Sequence, residues 1–362
     1  MGTTILEANA LTKTFRAKIK DPGLAGSLRA IRSPQYRDVR AVEDIHLTVE
    51  EGEKLGVLGP NGAGKSTTIK MLTGILTPTS GTMRVCGLVP GREQRQLAYR
   101  IGSVFGQKSM LYWHLPALDS FRLLGSIYDV DGKELQKRLD GLVELLEIGE
   151  HLKTPVRKLS LGERMRCEVA ASLLHKPEVL FLDEPTIGLD VVVKAKIREM
   201  IRRINREERV TVFLTSHDVG DVEQLCRRAV IINHGRTVLD STVAELKRSY
   251  LRKKIIRVQY VADVDCGRLV SAEGFQVQQC RGNEAVVEVD ALEGSMHAAM
   301  ARVMTVGEVA DVTISDMPME EIISEIFRMG VREGVRSHAE DRTAESERSH
   351  AEDRTAEGGE SA

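Results

Sequence analysis

A glycine-rich segment with one lysine is the part of the sequence best suited to binding phosphate. Residues 59–67 read GPNGAGKST, with the spacing G-x-x-x-x-G-K-S, and the backbone N–H groups of such a loop can surround a polyphosphate. Lys65 is expected to reach the β- and γ-phosphates of a nucleoside triphosphate, and Ser66 to bind Mg²⁺. The predicted nucleotide-binding residues of this loop are Gly59, Pro60, Asn61, Gly62, Ala63, Gly64, Lys65, Ser66 and Thr67.

Two consecutive carboxylates follow a second apolar segment. Residues 179–183 read VLFLD, which predicts a buried strand that ends at Asp183, beside the loop, where the carboxylate holds Mg²⁺ through water. Glu184 comes next, at the strand tip, and is placed to orient or deprotonate a water that attacks the γ-phosphate. This favours hydrolysis over transfer to a second substrate. The alternative for Glu184 is a surface residue that caps a turn before Pro185.

The elements that must position these residues alternate between strand and helix. Amphipathic helical stretches at 190–204 and 219–228 lie between apolar segments, which predicts a mainly parallel α/β sheet covered on both faces. Residues 109–176 have helical periodicity and few strand signals, so we expect a helical subdomain inserted into the sheet domain. The apolar, strand-like segments are 54–58, 179–182, 210–214 and 229–232.

From about residue 253 the pattern restarts and predicts a small α+β domain over 253–330. Its expected elements are strands at 254–261, 276–280 and 285–289 and helices at 295–304 and 320–329. The segment RSHAEDRTAE at 336–345 is repeated at 348–357. It lacks bulky apolar side chains, so residues 331–362 are predicted to be a disordered acidic tail.

Composition excludes several classes of protein. The 362 residues include 51 basic and 53 acidic side chains, so no global charge favours nucleic acid. No apolar run is long enough to span a bilayer, and the first ten residues lack the zones of a signal peptide. We therefore expect the chain to stay in the cytosol. The scattered cysteines are predicted to be unlinked thiols: Cys86, Cys167, Cys226, Cys266 and Cys280.

A further motif identifies a family. Residues 159–166 read LSLGERMR. With the two motifs above, this segment makes residues 4–246 resemble the ATP-binding subunit of an ATP-binding cassette (ABC) transporter. LSLGE stands where that family has its signature LSGGQ. The resemblance implies a P-loop ABC ATPase domain over residues 1–248, with a RecA-like sheet core. It also implies ATP and Mg²⁺ as cofactors.

The same resemblance assigns roles to single residues. Gln107 in FGQKS is similar to the Q-loop glutamine, which senses Mg²⁺ and couples to the membrane partner. Asp190 in IGLD is similar to the D-loop aspartate, and His217 in LTSHD to the switch histidine that contacts the γ-phosphate. The resemblance also implies an aromatic residue near the first strand that stacks on adenine. Phe15 is the candidate, and Tyr36 is the weaker alternative.

The resemblance also implies a head-to-tail pair of copies. Ser160 and the N–H of Gly162 from one copy close on the γ-phosphate that is held by Lys65 of the other. Two residues depart from the family pattern, because Leu161 replaces a glycine and Glu163 a glutamine, which adds a Cβ and a negative charge near phosphate. Residues 16–40 form an extra basic segment that either lies against anionic lipid or the permease, or is a solvated loop.

Within the family, the chain resembles the ATPases of ABC-2 type exporters for sodium and drugs. This predicts a subunit at the cytoplasmic face of the membrane whose partners are a second copy or a paralogue and an integral membrane permease, without nucleic acid. Met110, Tyr112 and Trp113 are either anchors for the permease or residues of the core. Two alternatives stay open: a soluble ABC ATPase that acts on nucleic acid or ribosomes, and a regulatory ATP-binding module with little turnover.

Overall fold

The computed structural model describes residues 2–18, 36–106, 109–250, 253–269, 271, 274–290, 296–316, 321–324 and 326. The chain divides into two compact units, Met1–Glu245 and Leu246–Ala362. Three predicted features lie outside the described residues: Gln107, the interior of the basic segment (19–35) and the tail at 331–362.

Among its described residues, the first unit contains nine strands, seven α-helices and the start of an eighth, which runs past the end of the unit. The strands are β1 (Thr4–Lys18), β2 (Tyr36–Glu50), β3 (Lys54–Leu58), β4 (Ser80–Val85), β5 (Ile101–Phe105), β6 (Val179–Asp183), β7 (Thr211–Ser216), β8 (Arg228–Asn233) and β9 (Arg236–Thr242). The helices are α1 (Lys65–Leu72), α2 (Gln94–Ala98), α3 (Ala117–Ile127), α4 (Gly132–Leu146), α5 (Leu161–Leu173), α6 (Val191–Glu208), α7 (Val219–Leu225) and α8 (Val243–Tyr250).

The central sheet has six strands in the order β5-β6-β7-β3-β8-β9, and all neighbours are parallel except β8 and β9. Its middle strands are buried almost throughout, as expected for a sheet covered on both faces. The register places Asp183 beside Thr215 and Leu58 beside Ser216. The carboxyl ends of β3, β6 and β7 therefore meet at one edge. This confirms the predicted α/β fold with a parallel sheet core.

A second sheet of the first unit, in the order β2-β1-β4, is antiparallel and was not predicted from the sequence. Its inward side chains, among them Leu6, Leu11 and Ile45, belong to the same core as Phe181 of β6. Register shifts interrupt β1 between Ala8 and Leu11 and again up to residue 14. These irregularities break the alternation of apolar and polar residues by which a half-buried strand is recognised.

Helices α3, α4 and α5 fill the interval between β5 and β6, where the sequence predicts helices. Asp131 caps α4, since its side chain accepts hydrogen bonds from the N–H groups of Lys133 and Glu134. Leu139, Leu142 and later leucines of α4 form a buried stripe at helical spacing. The local capping and apolar spacing explain why the sequence signal is clear here.

The second unit is a small α+β fold. Its strands are β10 (Lys253–Tyr260), β11 (Phe275–Arg281), β12 (Glu284–Asp290) and β13 (Val309–Asp316), and its long helix is α9 (Met296–Val306). The antiparallel order is β11-β12-β10-β13. Strand β13 was missed because its polar-rich sequence VADVTISD lies at an edge and is largely exposed. Residues 321–324 are helical, within the predicted helix 320–329, most of whose remainder lies outside the described residues.

The prediction of five unlinked cysteines was wrong for one pair. Cys266 and Cys280 form a disulfide with a Cα–Cα distance of 5.7 Å, within the range that a disulfide bridges. The N–H of Val264 donates to the carbonyl of Gly282 at 3.0 Å, which brings the two cysteine segments together. Cys86, Cys167 and Cys226 are free and buried, and burial raises the pKa of each thiol to about 12.

Of the helices in the described ranges, none combines the length and the apolar character that crossing a bilayer requires.

Candidate functional site

The glycine-rich loop joins β3 to α1 and adopts a conformation that its glycines permit. Gly62 and Gly64 have φ values of 82° and 107°, which L side chains rarely adopt. A Cβ on Gly64 would lie 2.5 Å from the carbonyl oxygen of Ala41. The loop forms one wall of a cavity of about 450 Å³, whose other walls include Ala41, Ile75, Phe105, Gly106, Asp183, Glu184 and Ile187.

Lys65 is the buried cation of this cavity. Its side chain is 4% exposed, and its Nζ donates hydrogen bonds to the carbonyl oxygens of Gly59 at 2.7 Å and Pro60 at 3.2 Å. The same Nζ lies 3.3 Å from Oε1 of Glu184. The ammonium group is therefore held inside the loop, where a phosphate would replace or share these partners.

Asp183 gathers two hydroxyl groups from neighbouring elements. Its Oδ1 accepts hydrogen bonds from Ser66 Oγ at 3.0 Å and from Thr215 Oγ1 at 2.6 Å. A hydroxyl and a carboxylate are the oxygen ligands that Mg²⁺ prefers, together with water and phosphate oxygens. In the part of the chain that the structure describes, no group of three or more His, Cys, Asp or Glu residues could hold a metal ion.

Glu184 lies between two basic groups. Its Oε1 is 3.3 Å from Lys65 Nζ, and its Oε2 is 3.3 Å from His217 Nδ1. The backbone of Glu184 has a φ of 54°, and its N–H donates to the carbonyl of Thr215 at 3.1 Å. A non-glycine residue in this region is strained, and such residues cluster at functional sites. The sharp turn directs the carboxylate into the cavity and away from bulk solvent.

The signature segment begins α5 through a capping box. Ser160 Oγ accepts a hydrogen bond from the N–H of Glu163 at 3.3 Å, and a Glu163 carboxylate oxygen accepts one from the N–H of Ser160 at 2.9 Å. That second bond holds the pKa of Glu163 below its usual value. The acidic side chain that replaces the family's glutamine is therefore bound to its own helix terminus.

The signature and the IGLD segment pack on each other. A Cβ on Gly162 would lie 2.5 Å from Val193 Cγ1, and a Cβ on Gly188 would lie 3.3 Å from Leu161 Cδ2. Asp190 caps α6 and accepts a hydrogen bond from the N–H of Val193 at 2.9 Å. The signature segment and the IGLD segment thus approach each other at Leu161 and Gly188.

The structure does not bring every predicted site residue to the cavity. Among the described residues, those that line it do not include seven predicted site residues: Phe15, Gly59, Pro60, Ser160, Gly162, Asp190 and His217. Phe15 pairs with Val39 where β1 and β2 run antiparallel. Val39 is two positions before Ala41, which lines the cavity. Lys13 Nζ lies 5.3 Å from the centre of the Phe15 ring.

The segment after Gln107 is attached to α5 by a buried carboxylate that the sequence analysis missed. Glu168 is 4% exposed and accepts hydrogen bonds from the N–H of Met110 at 2.9 Å and from Ser109 Oγ. Burial raises its pKa. The available signal was a single acidic residue within an apolar stretch of the helix. Nearby, Trp113 is 47% exposed and lies under the guanidinium of Arg164.

Thr215 was also missed, although the sequence held a signal for it. Two parallel strands in register place residues at the same height side by side. Asp183 ends one strand and Thr215 lies near the end of the next. Aligning VLFLD with the segment before His217 would have paired these residues.

Comparisons with known proteins identify the family of this chain. Residues 42–187 match the family model described as ABC transporter. The chain is 32% identical over 211 residues to the ABC transporter ATP-binding protein NatA of Bacillus subtilis, covering 58% of this chain and 85% of that protein. It is 31% identical over 289 residues to the linearmycin resistance ATP-binding protein LnrL of the same species, covering 80% and 82%. Those 289 residues exceed the 245 of the first unit, so the similarity extends into the second.

Two solved structures share the fold. The cbiO1 protein of Clostridium perfringens, part of the ABC transporter complex cbiONQ, is 25% identical with a TM-score of 0.55 and covers 69% of this chain and 96% of that one. The ATP-binding cassette MJ0796, solved as a dimer with ADP and Pi, has a TM-score of 0.54 at 23% identity and covers 66% and 98%. The chain belongs to the ATP-binding proteins of ABC transporters. It is an ABC ATPase that binds ATP.

Proposed function

We propose that this chain hydrolyses ATP to power export through a separate membrane permease. The observation that carries the proposal is the position of the Glu184 carboxylate, between Lys65 Nζ and His217 Nδ1 at the wall of the phosphate-loop cavity. A base, a cation and a hydrogen-bonding ring meet there at the end of the sheet. This arrangement suits attack of water on a terminal phosphate.

Each residue then has a definite task. The loop N–H groups, the N-terminus of α1 and Lys65 bind the phosphates and fix their orientation. Glu184 accepts the proton of the attacking water, and His217 donates a hydrogen bond to the γ-phosphate. Ser66 and Asp183 would hold Mg²⁺, with Gln107 as a further ligand, and the ion would supply positive charge that neutralises the phosphates.

Two copies of the chain complete the site. Ser160 and Gly162 lie at the N-terminus of α5, a location suited to binding the γ-phosphate held by another copy. Next to the Asp190 cap, Val191 is 80% and Val192 67% exposed, and these apolar side chains favour burial against a second surface. ATP shared across such an interface stabilises the closed pair, and its hydrolysis lets the pair open.

Export is proposed from the relatives. The Nod factor export ATP-binding protein I of Ralstonia nicotianae is 35% identical over 213 residues. The daunorubicin/doxorubicin resistance ATP-binding protein DrrA of Streptomyces peucetius is 35% identical over 242 residues. We place the chain at the cytoplasmic face of the membrane, bound to a permease through the exposed segment that contains Tyr112 and Trp113. The second unit is an accessory domain of the same subunit.

Two measurements test the proposal. Phosphate release by the full chain is compared with release by Glu184→Gln, which keeps the shape of the side chain and removes the base. We expect the variant to bind ATP and to release phosphate at least about 100-fold more slowly. Equal rates in the two proteins would contradict the assigned mechanism, and no release by the wild type with its membrane partner would favour a regulatory module.

Affinity purification from detergent-solubilised membranes tests the partner. A polytopic membrane protein recovered in stoichiometric amount supports the transporter. Recovery only from the soluble fraction with ribosomal or nucleic-acid partners would contradict it and favour the soluble ABC alternative.

A further inference from the structure

Three segments around the site converge on one buried carboxylate, that of Asp221 in α7. Its side chain is 0% exposed. Oδ2 accepts hydrogen bonds from Ser216 Oγ at 3.0 Å and from Thr186 Oγ1. Oδ1 accepts two from Arg198, with Nε at 2.8 Å and Nη2 at 2.6 Å. The sequence analysis assigned none of these four residues.

The two hydroxyl donors adjoin the residues proposed to act on ATP. Thr186 follows Glu184 by two positions, and Ser216 directly precedes His217. One oxygen atom of Asp221 therefore binds the segments that carry both of those side chains. The distance between Glu184 and His217 depends on the relative position of these segments.

The backbone around His217 is fixed on both sides. Ser216 Oγ donates to Asp221 and accepts a hydrogen bond from the N–H of Asp218 at 2.9 Å. Asp218 in turn accepts hydrogen bonds from the N–H of Gly220 at 3.0 Å and from Lys194 Nζ at 2.5 Å. His217 thus projects from a short turn whose two ends are both bound.

Arg198 connects this group to α6. Besides Asp221 it contacts Gln224, with Nη1 at 3.2 Å from Oε1, and lies 3.9 Å from Asp218. Its side chain is 10% exposed. The ion pair neutralises the buried carboxylate, and Arg198 holds α6, which begins at the Asp190 cap, against α7.

Stability alone does not account for this arrangement. Burying two charges is costly, and apolar side chains of similar volume often give an equally stable or more stable core. An apolar side chain at position 221, however, would offer no acceptor to Thr186 and Ser216. The Asp221 carboxylate supplies fixed acceptor positions for the segments that contain Thr186 and Ser216.

We propose that Asp221 is a positioning residue for ATP hydrolysis, which sets the geometry of Glu184 and His217 through the hydroxyls of Thr186 and Ser216. The inference rests on the proposed function, because it takes Glu184 and His217 to act on the bound nucleotide. Asp221 itself does not line the ATP cavity. Its effect is on the rate of the chemical step and not on nucleotide affinity.

The test uses variants of the full chain that keep side-chain shape. Thr186→Val removes the donor to Asp221, whereas Thr186→Ser keeps it. Ser216→Ala removes the second donor. Ser172→Ala is the matched control, because Ser172 is fully buried and its hydroxyl donates to the carbonyl of Val169 in its own helix. For each protein, kcat, KM, ATP affinity and the unfolding midpoint are measured.

We expect Thr186→Val and Ser216→Ala to lower kcat about tenfold or more, because displacements of about 1 Å are costly in catalysis. KM and ATP affinity should stay within about twofold, since the interactions lost act in the transition state. Thr186→Ser should restore kcat, and Ser172→Ala should keep it.

The outcomes separate this inference from the proposed function. If the wild type hydrolyses ATP, Glu184→Gln does not, and Thr186→Val has the kcat of the wild type, only the inference fails. The inference also fails if Ser172→Ala lowers kcat as much as Thr186→Val does and kcat falls in parallel with the unfolding midpoint. That result would mean that Thr186 and Ser216 affect kcat only by stabilising the fold. If the wild type itself releases no phosphate, both fail together.

Discussion

The ammonium group of Lys65 and the carboxylate of Glu184 are 3.3 Å apart. Both side chains are largely buried, at 4% and 17% exposure, and one comes from the loop after β3 while the other follows β6. The pair therefore links the phosphate-binding loop to the proposed base. A γ-phosphate bound by Lys65 would lie beside Glu184, which is the proximity that hydrolysis needs.

Replacing Lys65 with methionine should weaken ATP binding about 10- to 100-fold, because a hydrogen bond to a charged group contributes about 1.5–3 kcal/mol. Methionine keeps the apolar stem but cannot bind phosphate. Lys196→Met, an exposed position on α6, is the control and should bind as the wild type does. Calorimetric titration with ATP measures both, and unchanged affinity in Lys65→Met would refute the assignment of Lys65.

Gly64 should tolerate a side chain less well than Gly52. Both have positive φ, 107° and 75°, but a Cβ at Gly52 meets nothing within 4 Å, whereas one at Gly64 meets the Ala41 carbonyl at 2.5 Å. Gly52→Ala should cost about 1–2 kcal/mol of unfolding free energy from backbone strain alone, and Gly64→Ala clearly more. Urea unfolding measures the free energy of unfolding of both variants. Equal losses would show that the close approach to Ala41 does not contribute to the cost.

The parts of the site that the sequence predicted are those that lie within one contiguous motif or at one strand end. The loop and Asp183 could be placed together because parallel strands end at the same edge of a sheet. The Asp221–Arg198 pair could not, since no local pattern says which buried charges meet across two helices. The β1–β2–β4 sheet was hidden by bulges, and the Cys266–Cys280 pair by a turn that sequence spacing does not specify.

Leu161 and Gly188 should be energetically coupled. Gly188 has a φ of 72°, and a Cβ there would lie 3.3 Å from Leu161 Cδ2. Gly188→Ala thus meets both backbone strain and a tight contact, and Leu161→Ala relieves only the contact. In a double-mutant cycle of unfolding free energies we expect a coupling of about 0.5 kcal/mol or more. If the two changes in unfolding free energy were strictly additive, the side chains at positions 161 and 188 would not interact.

Glu163 should make stability depend on acidity. Hydrogen bonding from the Ser160 N–H holds its pKa below the usual value. A lowered pKa means that the stabilisation is present above the pKa of the unfolded chain and is lost as pH falls through the folded-state pKa. Glu163→Gln keeps a capping box but does not titrate. The stability advantage of the wild type over this variant, measured by urea unfolding, should therefore shrink as the pH falls below the usual value of 4.5. An advantage that grew on acidification would contradict the assignment.

Reducing the Cys266–Cys280 disulfide should destabilise the second unit and leave the first unchanged. The two cysteines are 14 residues apart in the sequence, and closing a loop of this length stabilises a fold by about 3 kcal/mol in the chain-entropy model. Hydrogen exchange resolves the two units: amides of β10 and β12 should exchange faster after reduction, while those of β3, β6 and β7 keep their rates. The Cys266→Ser/Cys280→Ser double variant is the control, because it should exchange like the reduced wild type and not respond to reductant. Faster exchange in β3 and β6 as well would show that the stability of the ATP-binding core depends on this bond.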